Sequence, residues 1–318
     1  MPRVSVIIPA YNSADTIAAT IASIAGQTYE DWEIVVGDDA STDDTAAVAR
    51  AADPRVTVVT GESNGGPAAG RNLAVAVAQG ELLALLDADD RWLPEYLTEQ
   101  VGLYDASIAG RRRVGIVACD AYVEDADGNR HGTHSARAGS LADPITVDRL
   151  LEGNPIFISA VVPRQLVVDL GGFATETWGS EDHDLWLRIL EQGYEVAVNP
   201  KPLVIYREAQ GSVSSSFVGM AKTSQTTYRR ALARGNLSSA QRRVARRSLR
   251  LQQAIETLEG IAAARAAGSR PGLRDVPALA GAGAALGEYV LAHPRRWRTW
   301  AGQLRNGRRA LWRAGPAS

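Results

Sequence analysis

The chain has one cysteine, Cys119, in 318 residues. A lone thiol excludes a disulfide framework within the chain and any cysteine-rich zinc site, and it suits a reducing compartment. Long apolar runs are missing as well. The best candidate, VPALAGAGAALG at 276–287, is too short and too rich in alanine and glycine to cross a bilayer. The first residues, MPRVSVIIPAYN, carry a brief apolar run that ends at Pro9, so no signal peptide is expected there. Basic residues are scarce in the first two thirds: residues 1–221 hold fifteen against thirty-two acidic ones, a balance of −17. Residues 222–318 hold nineteen basic residues against four acidic ones, a balance of +15. The net charge of −2 therefore hides two different objects, and the basic part points to an anionic partner.

What is present is enough apolar material, 45% of the residues, for a sizeable core. The length suits one large α/β domain with an appendage, or two domains. Over the first ninety residues short β-rich runs alternate with helical patterns. Strands are expected at Val4–Ile8, Glu33–Gly37, Val56–Thr60 and Leu82–Leu86. Helices are expected from a cap at Asn12 or Ser13 to Gly26, from a cap at Ser41 or Thr42 with Asp43 and Asp44 in its first turn, and over Pro67–Gln79. Apolar strands spaced by helices imply a parallel sheet covered on both faces, with ligands beyond the strands' carboxyl ends.

After a helix at Tyr96–Ala109 the pattern loosens. Val114–Val123 reads as a strand, Asp127–Gly128 as a turn, residues 124–144 as an irregular excursion, and Phe157–Val162 as a further strand. Ser180–Gln192 reads as a helix with Ser180 as N-cap and Gly193 past its end. Val196–Val198 and Leu203–Tyr206 complete the sheet. From about residue 217 the chain is helical: 218–234, a long helix from a capping box at Ser238 and Gln241 to about Ala267, a break at GSRPG, and two shorter helices split at Pro294. No internal repeat is visible.

The stretch ELLALLDADDRW at 81–92 poses the main question. A buried-looking strand runs straight into Asp87, Asp89 and Asp90. Two like charges ~4 Å apart repel by about 4 kcal/mol at an effective dielectric of 20. Water or a cation between them resolves that conflict. A solvated acidic loop, with Asp90 capping the next turn, is the plain alternative.

Six segments answer it by resemblance. VSVIIPAYN (4–12), EIVVGDDASTDDT (33–45), GGPAAGRNLAV (65–75), LLDADDRWLP (85–94), GGF (171–173) and WGSEDHDLWLRI (178–189) stand in the order of family 2 glycosyltransferases of the GT-A fold. The likeness spans about residues 3–216. It implies a Rossmann-like, mainly parallel sheet flanked by helices over 1–216, a nucleotide-sugar transferase domain, followed by a basic helical C-terminal region at 217–318. By the same resemblance DADD matches the D-x-D motif, so Asp89 would ligate Mg²⁺ or Mn²⁺ while Asp87 holds the ribose or shares the metal through water. A hard cation suits a leaving diphosphate.

Pro9, Ala10, Tyr11 and Asp39 resemble the base-binding pocket, with Asp38 as the alternative to Asp39; one of these two acids is expected to cap the following helix. Gly37, where relatives often carry an apolar residue, is given no weight. Arg71 suits diphosphate contact, against the alternative of a surface salt bridge. Asp182, in the first turn of a helix whose dipole favours its ionised form, would be the general base of an inverting transfer. Glu181 would bind the acceptor or orient the site. Trp178, Gly172 and Arg207 are candidate acceptor or sugar contacts. Asp184 is expected to be structural, Leu185, Leu187, Ile189 and Leu190 to be core, and the histidines to be uninformative. One departure stands out: YREAQGSVSSS (206–216) has Ala209 where the family often has a histidine, which leaves Arg207, Ser212, Ser214 or water to substitute.

The basic region combines RRVARRSLRLQQ (242–253) with PRRWRTWAGQLRNGRRALWR (294–313). Arginines flanking a Trp/Leu stripe suit an anionic membrane surface, and so an enzyme acting on a lipid-linked acceptor. The other reading is a helical bundle whose tryptophans pack on the catalytic domain and whose arginines meet its acids. No nucleic-acid reading motif accompanies the charge. The leading expectation is a cytoplasmic enzyme, peripheral at the inner membrane face under the first reading, that moves a sugar from a UDP- or dTDP-sugar to a glycan, lipid-linked or other hydroxyl. A nucleotidyltransferase is disfavoured because PAYNSADT lacks glycine and basic residues. A phosphatase is disfavoured because Arg91 stands two residues after Asp89. A catalytically degenerate scaffold is the remaining alternative.

Overall fold

A computed structural model describes residues 1–138, 141, 144–208, 217–266 and 276–292. The chain divides into two compact units, Met1–Ala245 and Arg246–Ser318. In the first, β1 (Val4–Ala10), α1 (Ile17–Ala25), β2 (Trp32–Asp38), α2 (Thr45–Ala52), β3 (Val56–Thr60), α3 (Pro67–Val77) and β4 (Leu82–Leu85) alternate as the apolar runs require. β1 and β4 are buried at every position. Strands covered on both faces need near-continuous apolar sequence; in β1 the exception, Ser5, is buried with its hydroxyl donated to Glu33 Oε1 at 2.6 Å.

β5 (Arg91–Trp92), α4 (Tyr96–Ala109), β6 (Val114–Glu124), β7 (Arg130–Thr133), α5 (His134–Ala138), α6 (Val147–Leu151), β8 (Val161–Pro163) and α7 (Arg164–Asp169) follow. A 3₁₀ turn (Thr175–Thr177), α8 (Glu181–Glu191), β9 (Glu195–Arg207), α9 (Phe217–Arg234) and α10 (Ser239–Ala266) come next; α10 from Arg246 onward and α11 (Val276–Ala292) belong to the second unit. The sheet order is β3-β2-β1-β4-β8-β6-β9-β5, with β7 paired to β6. β3, β2, β1 and β4 are mutually parallel, whereas β8 runs antiparallel to β4 and β6, and β5 antiparallel to β9. The parallel half is Rossmann-like, and its order reverses beside β1. That reversal opens a crevice at the carboxyl ends of β1 and β4.

Several boundaries differ from the sequence reading. α1 begins at Ile17 because residues 13–16 form a turn, with Ile17 N bonded to Ser13 O at 3.0 Å. Asn12 caps no helix; it adopts φ 48° and its Oδ1 accepts from Thr42 N at 2.8 Å, tying two loops together. α2 starts at Thr45, after Asp43 has bonded Thr45 N. Residues 157–160 are buried without forming a strand, so β8 is only three residues long. The two last strands are one, β9, whose pairing with β6 is irregular near Asn199–Pro202. Prolines at 200 and 202 remove ladder donors there. The excursion at 124–144 contains β7, which folds back through a turn with Gly128 at φ 83°. The Ser238–Gln241 capping box forms as expected, with bonds of 2.9 and 3.2 Å.

Gly37 acquires a role. A Cβ there would lie 1.8 Å from the Gly70 carbonyl oxygen, so only glycine lets α3 close on β2. In the second unit, Ala254, Ala282 and Ala285 pack with Leu258, and Arg250 pairs with Glu288 at 2.8 Å. The GSRPG break, the split at Pro294 and the tryptophans of 294–313 lie outside the described residues. No described helix is long and apolar enough to cross a membrane.

Candidate active site

Each loop that leaves a carboxyl end of the parallel strands carries a candidate residue. After β1, Pro9 and Ala10 lead to Tyr11, which is 46% exposed at the mouth of the crevice. After β2, two buried acids divide the work. Asp38 Oδ1 accepts from Ser41 N at 3.2 Å and holds the turn. Asp39 accepts from Gly65 N at 3.1 and 3.0 Å and from Gly66 N at 2.6 Å, so its carboxylate anchors the loop before α3. A carboxylate has about four lone-pair sites, so Asp39 keeps capacity for one further donor.

The DADD loop follows β4. Its backbone is held by Thr20, whose hydroxyl lies 2.9 Å from Ala88 O and 2.8 Å from Asp90 O. Sequence reading missed Thr20; a hydroxyl inside an otherwise apolar helix stripe was its only signal. Asp90 is buried and accepts from Arg207 N at 3.0 Å, while its Oδ2 has no partner. Burial, together with Asp89 and Asp87, raises its pKa well above the usual carboxylate range. Asp89 is pushed up to about 6 by burial and by repulsion from Asp87. The three acids are therefore in electrostatic conflict, as the bare sequence suggested. Among the described residues no three His, Cys, Asp or Glu side chains converge as metal ligands. Asp89 with Asp87 nonetheless fits Mg²⁺ or Mn²⁺, because such ions take one or two protein carboxylates and complete their shell with phosphate and water.

Arg71 is only 2% exposed, which replaces the surface salt bridge by a buried one. Its guanidinium spans the site, with Nη2 2.5 Å from Asp87 Oδ1 and Nη1 paired with Glu181 Oε1. Burial opposes its charge, but Asp87, Glu181 and Asp182 outweigh that and raise its pKa. Next to it on α3, Asn72 donates Nδ2 to Phe173 O and accepts from Phe173 N, both at 2.8 Å. This clasp carries the GGF turn to α3. Gly172, at φ 75°, faces Asn72, and its carbonyl accepts from Arg188 Nη2 at 2.8 Å.

α8 brings Glu181 and Asp182 of WGSEDHDLW into the crevice. Ser180 occupies the N-cap position, yet its side chain makes no cap bond; its Oγ lies 2.9 Å from Thr227 Oγ1 on α9. Glu181 is buried between Arg71 and Gly179 N, the latter at 2.8 Å. Asp182 Oδ1 accepts from His183 N at 2.7 Å, and its Oδ2 from Asn154 Nδ2 at 2.9 Å. The helix dipole leads one to expect a lowered pKa for Asp182. Instead, burial first and Glu181 second push it up to about 7. A dipole contributes about 0.3–1 kcal/mol near a helix end, less than desolvation costs. Sequence reading missed Asn154 too; the Asn-Pro turn at 154–155 marked only a loop.

Asp184 points away from the crevice into a cluster of Arg188, Arg230 and Arg234 at 2.8–3.0 Å. Burial alone would raise its carboxyl, but these guanidinium groups hold it below the usual range. Arg234 also meets Glu191, and Arg230 meets Glu176, so two of the first three arginines of the basic region pair with acids of the first unit. His183 is buried, with Nε2 2.8 Å from Leu150 O, and burial lowers its pKa to about 4. Trp186 is core, together with Leu185, Leu187, Ile189 and Leu190. Trp178 is 44% exposed and lies against Gly66, where a Cβ would meet the indole at 2.7 Å. Arg207 ends β9 beside the DADD loop. Ala209, Ser212 and Ser214 lie outside the described residues.

The chain thus places a pair of acids after β4 and a buried acid on α8 on either side of one arginine. The sequence matches the family model Glycosyl transferase family 2 over residues 5–150 and Glycosyl transferase family group 2 over residues 82–236. It is 32% identical over 218 residues to the Escherichia coli UDP-Glc:alpha-D-GlcNAc-diphosphoundecaprenol beta-1,3-glucosyltransferase WfgD, which covers 67% of this chain and 80% of that protein. Its fold resembles the crystal structure of S. aureus TarS 1-349 in complex with UDP-GlcNAc, with a TM-score of 0.64, 20% identity, and coverage of 92% of this chain and 82% of that one. The mannosyltransferase PcManGT from Pyrobaculum calidifontis, in complex with GDP-Man and Mn2+, superposes with a TM-score of 0.60 at 25% identity, covering 94% of this chain and 83% of that one. On the family models, the level of identity and the shared architecture, this chain belongs to glycosyl transferase family 2 and is a glycosyltransferase of the GT-A fold.

Proposed function

We propose that the enzyme transfers a sugar from a UDP-sugar to a hydroxyl of a lipid-linked glycan in one inverting displacement, with Asp182 as general base. The observation that carries this reading is the span from Asp87 through Arg71 to Glu181, which sets the DADD loop and the Asp182 helix on two sides of one crevice. UDP is favoured over dTDP because the relative WfgD is named for UDP-Glc and TarS was crystallised with UDP-GlcNAc. The lipid-linked acceptor follows from the diphosphoundecaprenol in the name of WfgD.

In this reading Tyr11 packs on the base, and Asp39, while anchoring the Gly65–Gly66 loop, accepts the N3–H of uracil. A divalent cation held by Asp89 and Asp87 would neutralise charge that grows on the departing diphosphate. Asp87 also keeps Arg71 at the edge of that site. Asp182, with a carboxyl near pH 7, removes the acceptor proton as the acceptor oxygen attacks the anomeric carbon; a base of that strength is matched to neutral operation. Glu181 orients the site through Arg71 and Gly179. Trp178 offers an exposed ring to a sugar face, with Gly172 and Arg207 at the rim. The basic segment 294–313 would bring the enzyme to an anionic membrane surface, where a lipid-linked acceptor resides.

Calorimetry with UDP, dTDP, GDP and ADP, with and without Mn²⁺, tests the donor half. UDP binding that needs Mn²⁺ and vanishes in Asp89→Ala is the expected result. Preference for GDP would remove Asp39 from base recognition, and absence of any nucleotide binding by folded protein would overturn the reading.

A further inference from the structure

Asp182 is held by a residue to which nothing above gives a part in the reaction. Asn154 lies in the loop between α6 and β8, next to Gly153 at φ 149°. Its Nδ2 donates to Asp182 Oδ2 at 2.9 Å. Its Oδ1 accepts from Ile156 N at 3.1 Å, and this second bond fixes which face of the amide looks at the acid. A flipped amide would set an oxygen against the carboxylate and lose both bonds. The other oxygen of Asp182 takes the His183 N–H at 2.7 Å. Each carboxylate oxygen so accepts one bond from the protein and keeps a lone pair for a substrate proton.

The charged groups that face Asp182 are Glu181 on the same helix, Arg71 from α3 and Asp87 from the loop after β4. Two of these three are acids, and burial acts in the same direction, so the carboxyl resists ionisation. The Arg71 guanidinium is engaged by Asp87 and Glu181. The His183 ring is turned toward Leu150 O and offers no proton to Asp182. Among side chains of the described residues, the hydrogen-bond donor directed at this carboxylate is the Asn154 amide.

We infer that Asn154 is a positioning residue for the transfer: its amide favours the carboxylate form of Asp182 and fixes its orientation for the acceptor hydroxyl. This rests on the reading of Asp182 as the base. A neutral donor suits the task. An arginine or lysine in its place would depress the carboxyl far below neutrality and weaken it as a base, whereas an apolar residue would leave it protonated at neutral pH.

Asn154→Asp isolates the donor. A carboxylate at 154 still accepts from Ile156 N, so the turn is kept while the N–H facing Asp182 is lost. Asn154→Ala is the second variant. Metal-free, full-length protein labelled with ¹³C in the aspartate carboxyls is titrated by NMR, with the Asp182 resonance identified by its absence in Asp182→Asn. Relative to wild type, the midpoint is expected to rise by about one pH unit in Asn154→Ala and further in Asn154→Asp, a roughly tenfold or greater change in ionised fraction below the midpoint. Unchanged midpoints in folded variants would overturn the inference. Turnover is read separately, as UDP released from UDP-glucose. Loss of turnover in Asp182→Asn, with the acid limb of kcat/KM moved up in Asn154→Ala, supports the positioning role. An active Asp182→Asn would overturn the base reading, and the positioning role with it, even where the midpoint moves.

Discussion

Arg71 and Asp87 form an ion pair at 2.5 Å in which the arginine is buried and the aspartate reaches the crevice, and the same guanidinium pairs with Glu181 behind it. One residue of α3 therefore ties the DADD loop to the helix that carries Glu181 and Asp182. Removing one partner of a buried pair leaves the other charge uncompensated, which costs about 3–5 kcal/mol. Arg71→Met is expected to lower stability by about that amount, read by urea unfolding, and to loosen both acids. An unchanged midpoint and slope would show that Glu181 finds another partner.

The proposed role of Asp182 as general base carries a pH dependence. Its carboxyl is raised to about 7, so the ionised form that the proposal requires accumulates only as pH rises through neutrality. The rate under kcat/KM conditions is expected to climb roughly tenfold per pH unit below the midpoint and to level off above pH 8, measured as UDP release. A profile flat from pH 5 to 8 would remove Asp182 from proton transfer.

Stability has its own pH term in His183. Burial lowers its pKa to about 4, against 6.5 for a free imidazole. The folded state thus prefers the neutral ring. Stability from this group is complete above about pH 6.5 and is lost as pH falls through 4, up to ~3 kcal/mol in all. Asp182 and Asp89 act in the opposite sense, since raised carboxyls favour the folded state at low pH. Comparing wild type with His183→Gln cancels them. The gap between the two proteins in urea unfolding is expected to narrow from pH 7.5 to pH 4.5.

The Asp184 cluster ties α9 to α8. Asp184→Ala leaves Arg188, Arg230 and Arg234 without their shared acid, and a loss of about 3–5 kcal/mol is expected in chemical denaturation. Arg234→Leu, which keeps two guanidinium groups on Asp184 but abandons Glu191, should cost less.

Gly37 offers a steric test. A methyl group there would sit 1.8 Å from Gly70 O, so Gly37→Ala must push α3 away from β2. Destabilisation of several kcal/mol, or failure to fold, is the expected outcome, read by thermal melting.

The sequence by itself determined a good deal. Short apolar runs such as LLALL, too brief for a helix and bounded by turn residues, suit strands covered on both faces, and helical spacing between them leaves a parallel, Rossmann-like half as the economical arrangement. The acids that end those runs marked the crevice, since ligands in such sheets bind beyond the strands' carboxyl ends. Local rules also fixed the Ser238–Gln241 cap, which depends on neighbours three residues apart. Tertiary structure decided whatever depends on partners distant in sequence. Arg71 meets Asp87 and Glu181 across 16 and 110 residues. Asn154 meets Asp182 across 28, and Asp184 meets Arg234 across 50. The carboxyl of Asp182 followed burial and Glu181 rather than its place at a helix start, because desolvation is set by everything packed around a group and a dipole only by the helix that carries it. Gly37, which had no visible reason in the sequence, is required by an α3 carbonyl that only the packed fold brings against it.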